Sequence, residues 1–277
     1  MSYCRFQHQY TARYGLIETV RGEPTIIRTL ASAPSSFADF ERGDKAEIAL
    51  SAVRLLAPAE PSKIVCIGRN YREHAKELNH PIPTEPLFFL KPPASVIGTG
   101  DEIRRPNALS QRVDHEGELG VVIGKRCYRL RERDDVRPYI LGYTCMNDVT
   151  ARDLQEKDGQ WTRAKGFNSF CPVGPVVAEG LDPWKGVGVQ TSVNGQLRQN
   201  GTTVDFLFPL DLLVWFISRV MTLEPGDLIA TGTPAGVGPL QPGDTVEVAV
   251  EGVGTLTNTV VNLDQCASKT IRSPILT

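Results

Sequence analysis

The sequence predicts a predominantly β, α+β protein, on three observations. Strand-like runs outnumber helical ones and are mostly joined as hairpins. The 25 glycines and 20 prolines among 277 residues supply many turns. No regular alternation of strand and helix appears, which argues against a doubly wound nucleotide fold. With 41% hydrophobic residues, the chain is long enough to bury a core without disulfides or a structural metal.

Residues 1–60 read as a small N-terminal β-rich domain. Within it, 14–20 and 25–30 are short strands around the turn Arg21-Gly22-Glu23-Pro24. The proline-spaced stretch Leu56-Ala57-Pro58-Ala59-Glu60-Pro61 marks a boundary, and residues 61–277 form the second domain, where every candidate reactive constellation lies. Residues 63–68 are a strand. Residues 69–78, with His74, Ala75 and Leu78 among charges, suit a short helix. Residues 87–90 form a strand that runs into Lys91-Pro92-Pro93, and 119–123, 139–146 and 174–177 continue the strand pattern. Asn194-Gly195 is a two-residue hairpin signal between 188–193 and 196–198. Leu210, Leu213, Val214, Ile217, Val220 and Met221 recur at helical spacing and mark the clearest helix, over 209–223. Residues 227–230 and a last hairpin, 245–250 with 254–261, complete the chain's pattern.

Charge and motifs exclude several classes. Thirty basic against 32 acidic residues give a net charge of −2, which argues against nucleic-acid binding by phosphate neutralisation. Met1-Ser2-Tyr3-Cys4-Arg5 opens no signal-peptide core and no run approaches a membrane span, so a cytoplasmic protein with no membrane partner is expected. The six cysteines, Cys4, Cys66, Cys127, Cys145, Cys171 and Cys266, form no C-x-x-C pair. Cys66 and Cys145 fall in apolar strand-like runs and read as small hydrophobes. Gly120-Val121-Val122-Ile123-Gly124-Lys125-Arg126 is one residue short of a phosphate loop and lacks its Ser or Thr. Neither G-x-S-x-G nor H-E-x-x-H occurs.

Four constellations remain. Glu116 and Glu118, two apart on an extended strand, project to one face, with Gly117 leaving room on the other. Paired oxygen ligands suit a hard cation such as Mg²⁺ or Mn²⁺; the alternative is a solvated strand start. Asp148 ends the 139–146 strand as either a third carboxylate ligand or a helix N-cap, and Asp153 fits the first turn of the helix that follows. His74 and Glu77 share a helix face, which lets the carboxylate orient the imidazole as a general base. A surface histidine beside a charged helix is the alternative there. The other histidines are His8, His80 and His115. Lys91, Lys165 and the glycine loop from Thr231 to Gly238 are suited to hold substrate carboxylates or oxyanions. Their alternatives are surface lysines and a plain strand connection.

In order along residues 61–264, these segments resemble the fumarylacetoacetate hydrolase superfamily. The matching stretches are Ile67-Gly68-Arg69-Asn70-Tyr71, His74 with Glu77, Phe88-Phe89-Leu90-Lys91-Pro92, 116–124, 147–153 and 226–238. The resemblance implies a mixed β-roll core in a homodimer, with residues 69–78 as a lid. It implies one divalent cation per subunit, Mg²⁺ or Mn²⁺, on Glu116, Glu118 and Asp148. In the acylpyruvase-like branch it makes His74 and Glu77 the water-activating pair and places Lys165 against a small keto-acid substrate. Arg69, Tyr71, Lys91, Gln155 and Thr233 fall on substrate-binding positions. The activity implied first is hydrolysis of a carbon–carbon bond in a 3-acylpyruvate-type diketo acid through a metal-stabilised pyruvate enolate. Oxaloacetate decarboxylation and 2-hydroxydienedioate isomerisation or tautomerisation use the same site. A non-catalytic ligand-binding member is the third reading, and retention of three carboxylates with a His/Glu pair argues against it.

Overall fold

A computed structural model describes residues 1–79 and 81–263; His80 and Cys266 lie outside the described residues. Among the described residues the strands form a large sheet, a five-stranded sheet and a small three-stranded one of Thr150–Ala151, Val113–His115 and Gly238–Pro239. Gly117–Ile123 is buried along its whole length and therefore runs centrally in the large sheet, between Ile140–Asn147 and Leu228–Ala230. Beyond Leu228–Ala230, Ile64–Gly68 joins in parallel and Leu87–Lys91 forms the edge. On the other side Ile140–Asn147 pairs with Cys171–Ala178.

The N-terminal strands extend this same sheet. Ser2–His8 pairs with Cys171–Ala178 through Ser2 opposite Ala178 and Tyr3 opposite Val177. Thr11–Val20, Glu23–Leu30 and Asp44–Ala49 follow as antiparallel neighbours. Phe6 and Cys4 turn inward with Ile26 and Val176, so the two segments share apolar contacts at the junction. Ser2–His8 and Asp44–Ala49 are not apparent in the sequence, because Arg5, Gln7, His8, Asp44, Lys45 and Glu47 interrupt their apolar pattern.

The second sheet has five strands, ordered Gln196–Thr202, Gly188–Val193, Thr245–Val250, Gly254–Asn262 and Glu102–Arg105. Its first hairpin turns at Asn194-Gly195, as the dipeptide predicts. Val189 and Val248 from this sheet meet Leu119 and Val121 of the large one in the main core. This sheet-on-sheet packing, with few helices, is the expected α+β, mainly β architecture.

Among the described residues four short α-helices complete the fold: α1 (Arg72–Glu77), α2 (Arg152–Asp158), α3 (Thr162–Lys165) and α4 (Leu210–Val220). In α4, Leu210, Leu213, Val214 and Ile217 form the buried stripe that the 3.6-residue period predicts. Among the described residues no helix is long and apolar enough to cross a membrane. Cys4, Cys66, Cys127, Cys145 and Cys171 are all buried free thiols, and burial pushes Cys145 and Cys171 up to about 12.

Candidate active site

Strand register brings three carboxylates together. Glu116 links Val113–His115 to Gly117–Ile123, Glu118 lies in the latter, and Asp148 directly follows Ile140–Asn147. Gly117 stands opposite Asn147 in the ladder. The Asp148 N–H donates to the Glu116 carbonyl at 2.8 Å, and the Glu116 N–H donates to Asn147 Oδ1 at 2.9 Å. One ligand oxygen from each of Glu116, Glu118 and Asp148 lies within 4.8 Å of the others, and all three side chains are buried. Only glycine fits at 117, since a Cβ there would come within 2.0 Å of Thr191 Oγ1. Asp148 does not cap a helix, because α2 starts at Arg152 with Ala151 as its N-cap. Asp153 does sit in the first turn of α2, accepting from the Ser110 hydroxyl at 2.6 Å.

Among the described residues three cations contact the acids, unevenly. Lys165 Nζ lies 2.9 Å from Glu116 Oε2 and 2.7 Å from Asp148 Oδ2. Lys91 Nζ donates to Asp148 Oδ1 at 2.5 Å and to the Val149 carbonyl at 3.1 Å. Arg152 reaches Glu116 Oε1 at 2.5 Å, Asp114 at 2.9 Å and Gln155 Oε1 at 2.6 Å. Glu118 receives one donor, the Gly232 N–H at 2.7 Å, and among the described residues it has no ion pair.

The protonation preferences follow from this asymmetry. Burial works against ionised Glu116, but Lys165 and Arg152 outweigh it and hold its pKa well below the usual range. Burial, reinforced by Asp148 and Glu116, pushes Glu118 up. For Lys165 burial would favour loss of the proton, yet Asp148 and Glu116 keep it protonated. The donor set therefore fits a hard divalent cation: three oxygens converge, and one carboxylate is left without a counter-charge.

Above the triad lies α1. His74 is buried, with Nδ1 3.4 Å from Glu77 Oε2. The Glu77 carboxylate also accepts the Gly236 N–H, at 3.0 and 3.2 Å. Burial alone would raise the Glu77 pKa; His74 and that N–H hold it low. Gly236 has φ +103, and a Cβ there would meet the Arg198 carbonyl at 2.0 Å, so this clasp requires glycine. Asn70 anchors the base of α1, donating to the Thr231 carbonyl at 2.8 Å and accepting the Phe208 N–H at 2.8 Å.

His74, Lys165, Arg69, Gln155 and Thr233 line one cavity with the triad. Glu77 stands behind His74. Lys91 is not on the cavity wall; it is committed to Asp148 from behind. Tyr71 is not there either: it lines a different cavity beside α1, its ring 5.1 Å from that of Phe206, with its hydroxyl buried and, among the described residues, unpartnered. The Thr233 hydroxyl donates to the Gly117 carbonyl at 2.8 Å and accepts from Gln199 Nε2 at 2.6 Å, so its proton is not offered to a substrate.

Sequence reasoning missed Gln199, Arg152 and Trp161. Buried Gln199 accepts the Gly117 N–H at 2.9 Å, faces His115 Nδ1 at 3.1 Å and donates to the Pro234 carbonyl at 2.7 Å. Burial draws the His115 pKa down despite that contact. Nothing in an exposed hairpin strand signals such a residue. Arg152 had a signal: it stands one residue from Asp153 in the segment that supplies Asp148.

Comparison with known proteins gives two family matches, "Fumarylacetoacetate (FAA) hydrolase C-terminal" over residues 63–261 and "Rv2993c-like, N-terminal" over residues 1–58. The chain is similar to oxaloacetate tautomerase YisK of Bacillus subtilis, 42% identical over 76% of this chain and 74% of that protein. It is also similar to the crystal structure of 5-carboxymethyl-2-hydroxymuconate delta-isomerase from Mycobacterium smegmatis. That match has a TM-score of 0.84 and 42% identity, covering 95% of this chain and 100% of the other. The 2-hydroxyhepta-2,4-diene-1,7-dioate isomerase of Mycobacterium marinum matches with a TM-score of 0.84 and 42% identity, over 95% and 99% of the two chains.

Proposed function

The chain belongs to the fumarylacetoacetate hydrolase family, and from that premise we propose that it is a metal-dependent enzyme that moves a proton at C3 of a 2-oxo acid, a tautomerase or isomerase. The observation that carries this reading is the buried His74, backed by Glu77, facing the same cavity as the triad. Relatives named for tautomerase and isomerase activities support enzyme status and this reaction type.

A divalent cation held by Glu116, Glu118 and Asp148 would supply Lewis acidity to the oxygens of the 2-oxo acid. His74 takes the C3 proton and returns it to the 2-oxo oxygen, so the keto form becomes the enol with no atom gained or lost. Glu77 keeps the imidazole oriented and stabilises its charged form. Lys165, held protonated by Asp148 and Glu116, neutralises negative charge that develops on the 2-oxo oxygen. The Glu77–Gly236 clasp holds α1 over the cavity and limits water there. The reading includes a homodimer, for which light scattering should give twice the chain mass.

The same His74–Glu77 pair is also suited to deprotonate water, so hydrolysis of a 3-acylpyruvate-type acid is the second reading. Incubation with Mg²⁺ or Mn²⁺ in D₂O, followed by NMR, separates the outcomes. We expect enzyme-dependent deuterium entry at C3 of oxaloacetate with no pyruvate formed beyond that of the enzyme-free control with the same cation. Pyruvate with CO₂ would make it a decarboxylase, and acetylpyruvate cleaved to pyruvate and acetate a hydrolase. In His74→Ala the exchange should fall about 10³-fold with cation affinity nearly intact; unchanged exchange removes His74 from the mechanism.

A further inference from the structure

His74 and the triad sit on different elements, and one loop ties them together. Both ends of α1 rest on residues 231–236. Asn70, just before the helix, donates to the Thr231 carbonyl at 2.8 Å, and Glu77 at its end accepts the Gly236 N–H at 3.0 Å. Where this loop lies therefore sets where His74 stands over the cavity. Gln199 holds the middle of the loop. It is the one buried residue of Gln196–Thr202, a strand otherwise exposed or half-buried, yet its side chain is polar. Its Nε2 donates to Thr233 Oγ1 at 2.6 Å and to the Pro234 carbonyl at 2.7 Å, while Oε1 accepts the Gly117 N–H at 2.9 Å. A carbonyl only accepts and a backbone N–H only donates, so the amide cannot turn over without breaking both contacts. The same strand backs the clasp, since the Arg198 carbonyl lies 2.0 Å from where a Cβ at Gly236 would fall.

We propose that Gln199 is a positioning residue for the base: its amide fixes the loop, and through the loop α1 and His74, against the strand that carries Glu118. The inference rests on the reading of His74 as the base. The strand side of this joint stands without Gln199. Gly117 is opposite Asn147 in the ladder, the Asp148 N–H donates to the Glu116 carbonyl at 2.8 Å, and Gly120, Val121 and Val122 pair with Leu228–Ala230. The loop side has less. Gly232 gives its N–H to Glu118 and Thr233 its hydroxyl to the Gly117 carbonyl; among the described residues the next strand pairing is Gly238 with His115. Pro234 has no N–H to offer, and its carbonyl is held by Gln199. Loss of the amide therefore frees the segment that carries the clasp, while the three carboxylates stay in register. A displacement of about 1 Å at a catalytic group is enough to cost a large factor in rate.

The test compares Gln199→Leu with the wild type by C3 deuterium exchange on oxaloacetate and by Mg²⁺ calorimetry. We expect kcat to fall about 100-fold with KM changed far less, and Mg²⁺ affinity to stay within about 3-fold. Glu77→Ala cuts the same route at the clasp, so the losses should not add: in that background Gln199→Leu should cost about 3-fold or less. Hydrogen exchange on the metal-free protein needs no turnover. There the α1 amides should exchange about 10-fold faster in Gln199→Leu than in the wild type. They should keep the wild-type rate in Asp227→Asn, a destabilised control whose partners Ser62, Lys63 and Glu224 lie outside the loop. Should the leucine variant not fold, Gln199→Met keeps the length without the hydrogen bonds and is read the same way. A fall in Mg²⁺ affinity matching that in kcat, additive losses, or α1 exchange that is unchanged or changes equally in Asp227→Asn would overturn the assignment. If the wild type shows no C3 exchange, the 2-oxo-acid reading fails, while hydrogen exchange still decides whether Gln199 places α1.

Discussion

Asp227, just before the Leu228–Ala230 strand, and Glu118, in the neighbouring Gly117–Ile123 strand, are both fully buried carboxylates, yet their surroundings differ. Asp227 Oδ1 accepts the Ser62 N–H at 3.0 Å, the Ser62 hydroxyl at 2.7 Å and the Lys63 N–H at 3.1 Å. Its other oxygen takes the Glu224 N–H at 2.8 Å and pairs with the Lys63 ammonium. Glu118 has the Gly232 N–H and two like charges beside it. The first carboxylate is complete within the chain and ties residues 62–63 to the turn before Leu228. The second is completed only by something added. Burial does not distinguish the two; the supply of donors does.

That contrast breaks most visibly at Asp227. Asp227→Asn strips the charge from a satisfied buried network, and urea unfolding should show a loss of about 3–4 kcal/mol with cation binding retained by the folded protein. A fall in cation affinity with unchanged stability would reverse the two roles. Glu118→Gln should do the opposite. Its cation affinity should fall by more than the roughly 100-fold that loss of an outer partner costs, as calorimetry would measure. In the metal-free protein its stability should hold or rise. The sign follows from the raised folded-state pKa of Glu118. Its contribution is complete below the unfolded carboxyl value and is lost as pH rises through the folded one. Glutamine, neutral throughout, avoids that loss, so a strongly destabilised metal-free variant would contradict the account.

A smaller effect is expected at Gln199, which resembles Asp227 in being fully satisfied. Gln199→Leu leaves the Gly117 N–H without its acceptor and the Thr233 hydroxyl without its donor, at about 2 kcal/mol by thermal or urea unfolding. Unchanged stability would show that this amide is not what holds the loop to the strand.

Much of the site is legible in the sequence because its logic is local. Glu116 and Glu118 follow the two-residue strand period, His74 and Glu77 the helical three-residue spacing, and α4 the 3.6-residue stripe. What is not legible depends on partners far away in the chain. Gln199 meets His115 across 84 positions. Lys91 meets Asp148 across 57, which turns a lysine expected at the substrate into a support behind a ligand. Tyr71 immediately precedes α1, and its backbone bridges to Phe206, 135 positions away in the chain, beside the separate cavity that it lines. Ser2–His8 becomes a strand through its register with Cys171–Ala178, which its own polar residues do not announce.

The central claim is that Glu116, Glu118 and Asp148 form an incomplete cage that a cation completes. Calorimetric titration of the metal-stripped protein with Mg²⁺ and with Mn²⁺ tests it most directly. One ion bound per chain, with binding lost in Asp148→Asn while that variant stays folded, is the result expected. No binding of either ion, or binding that survives in Asp148→Asn and Glu118→Gln alike, would contradict it.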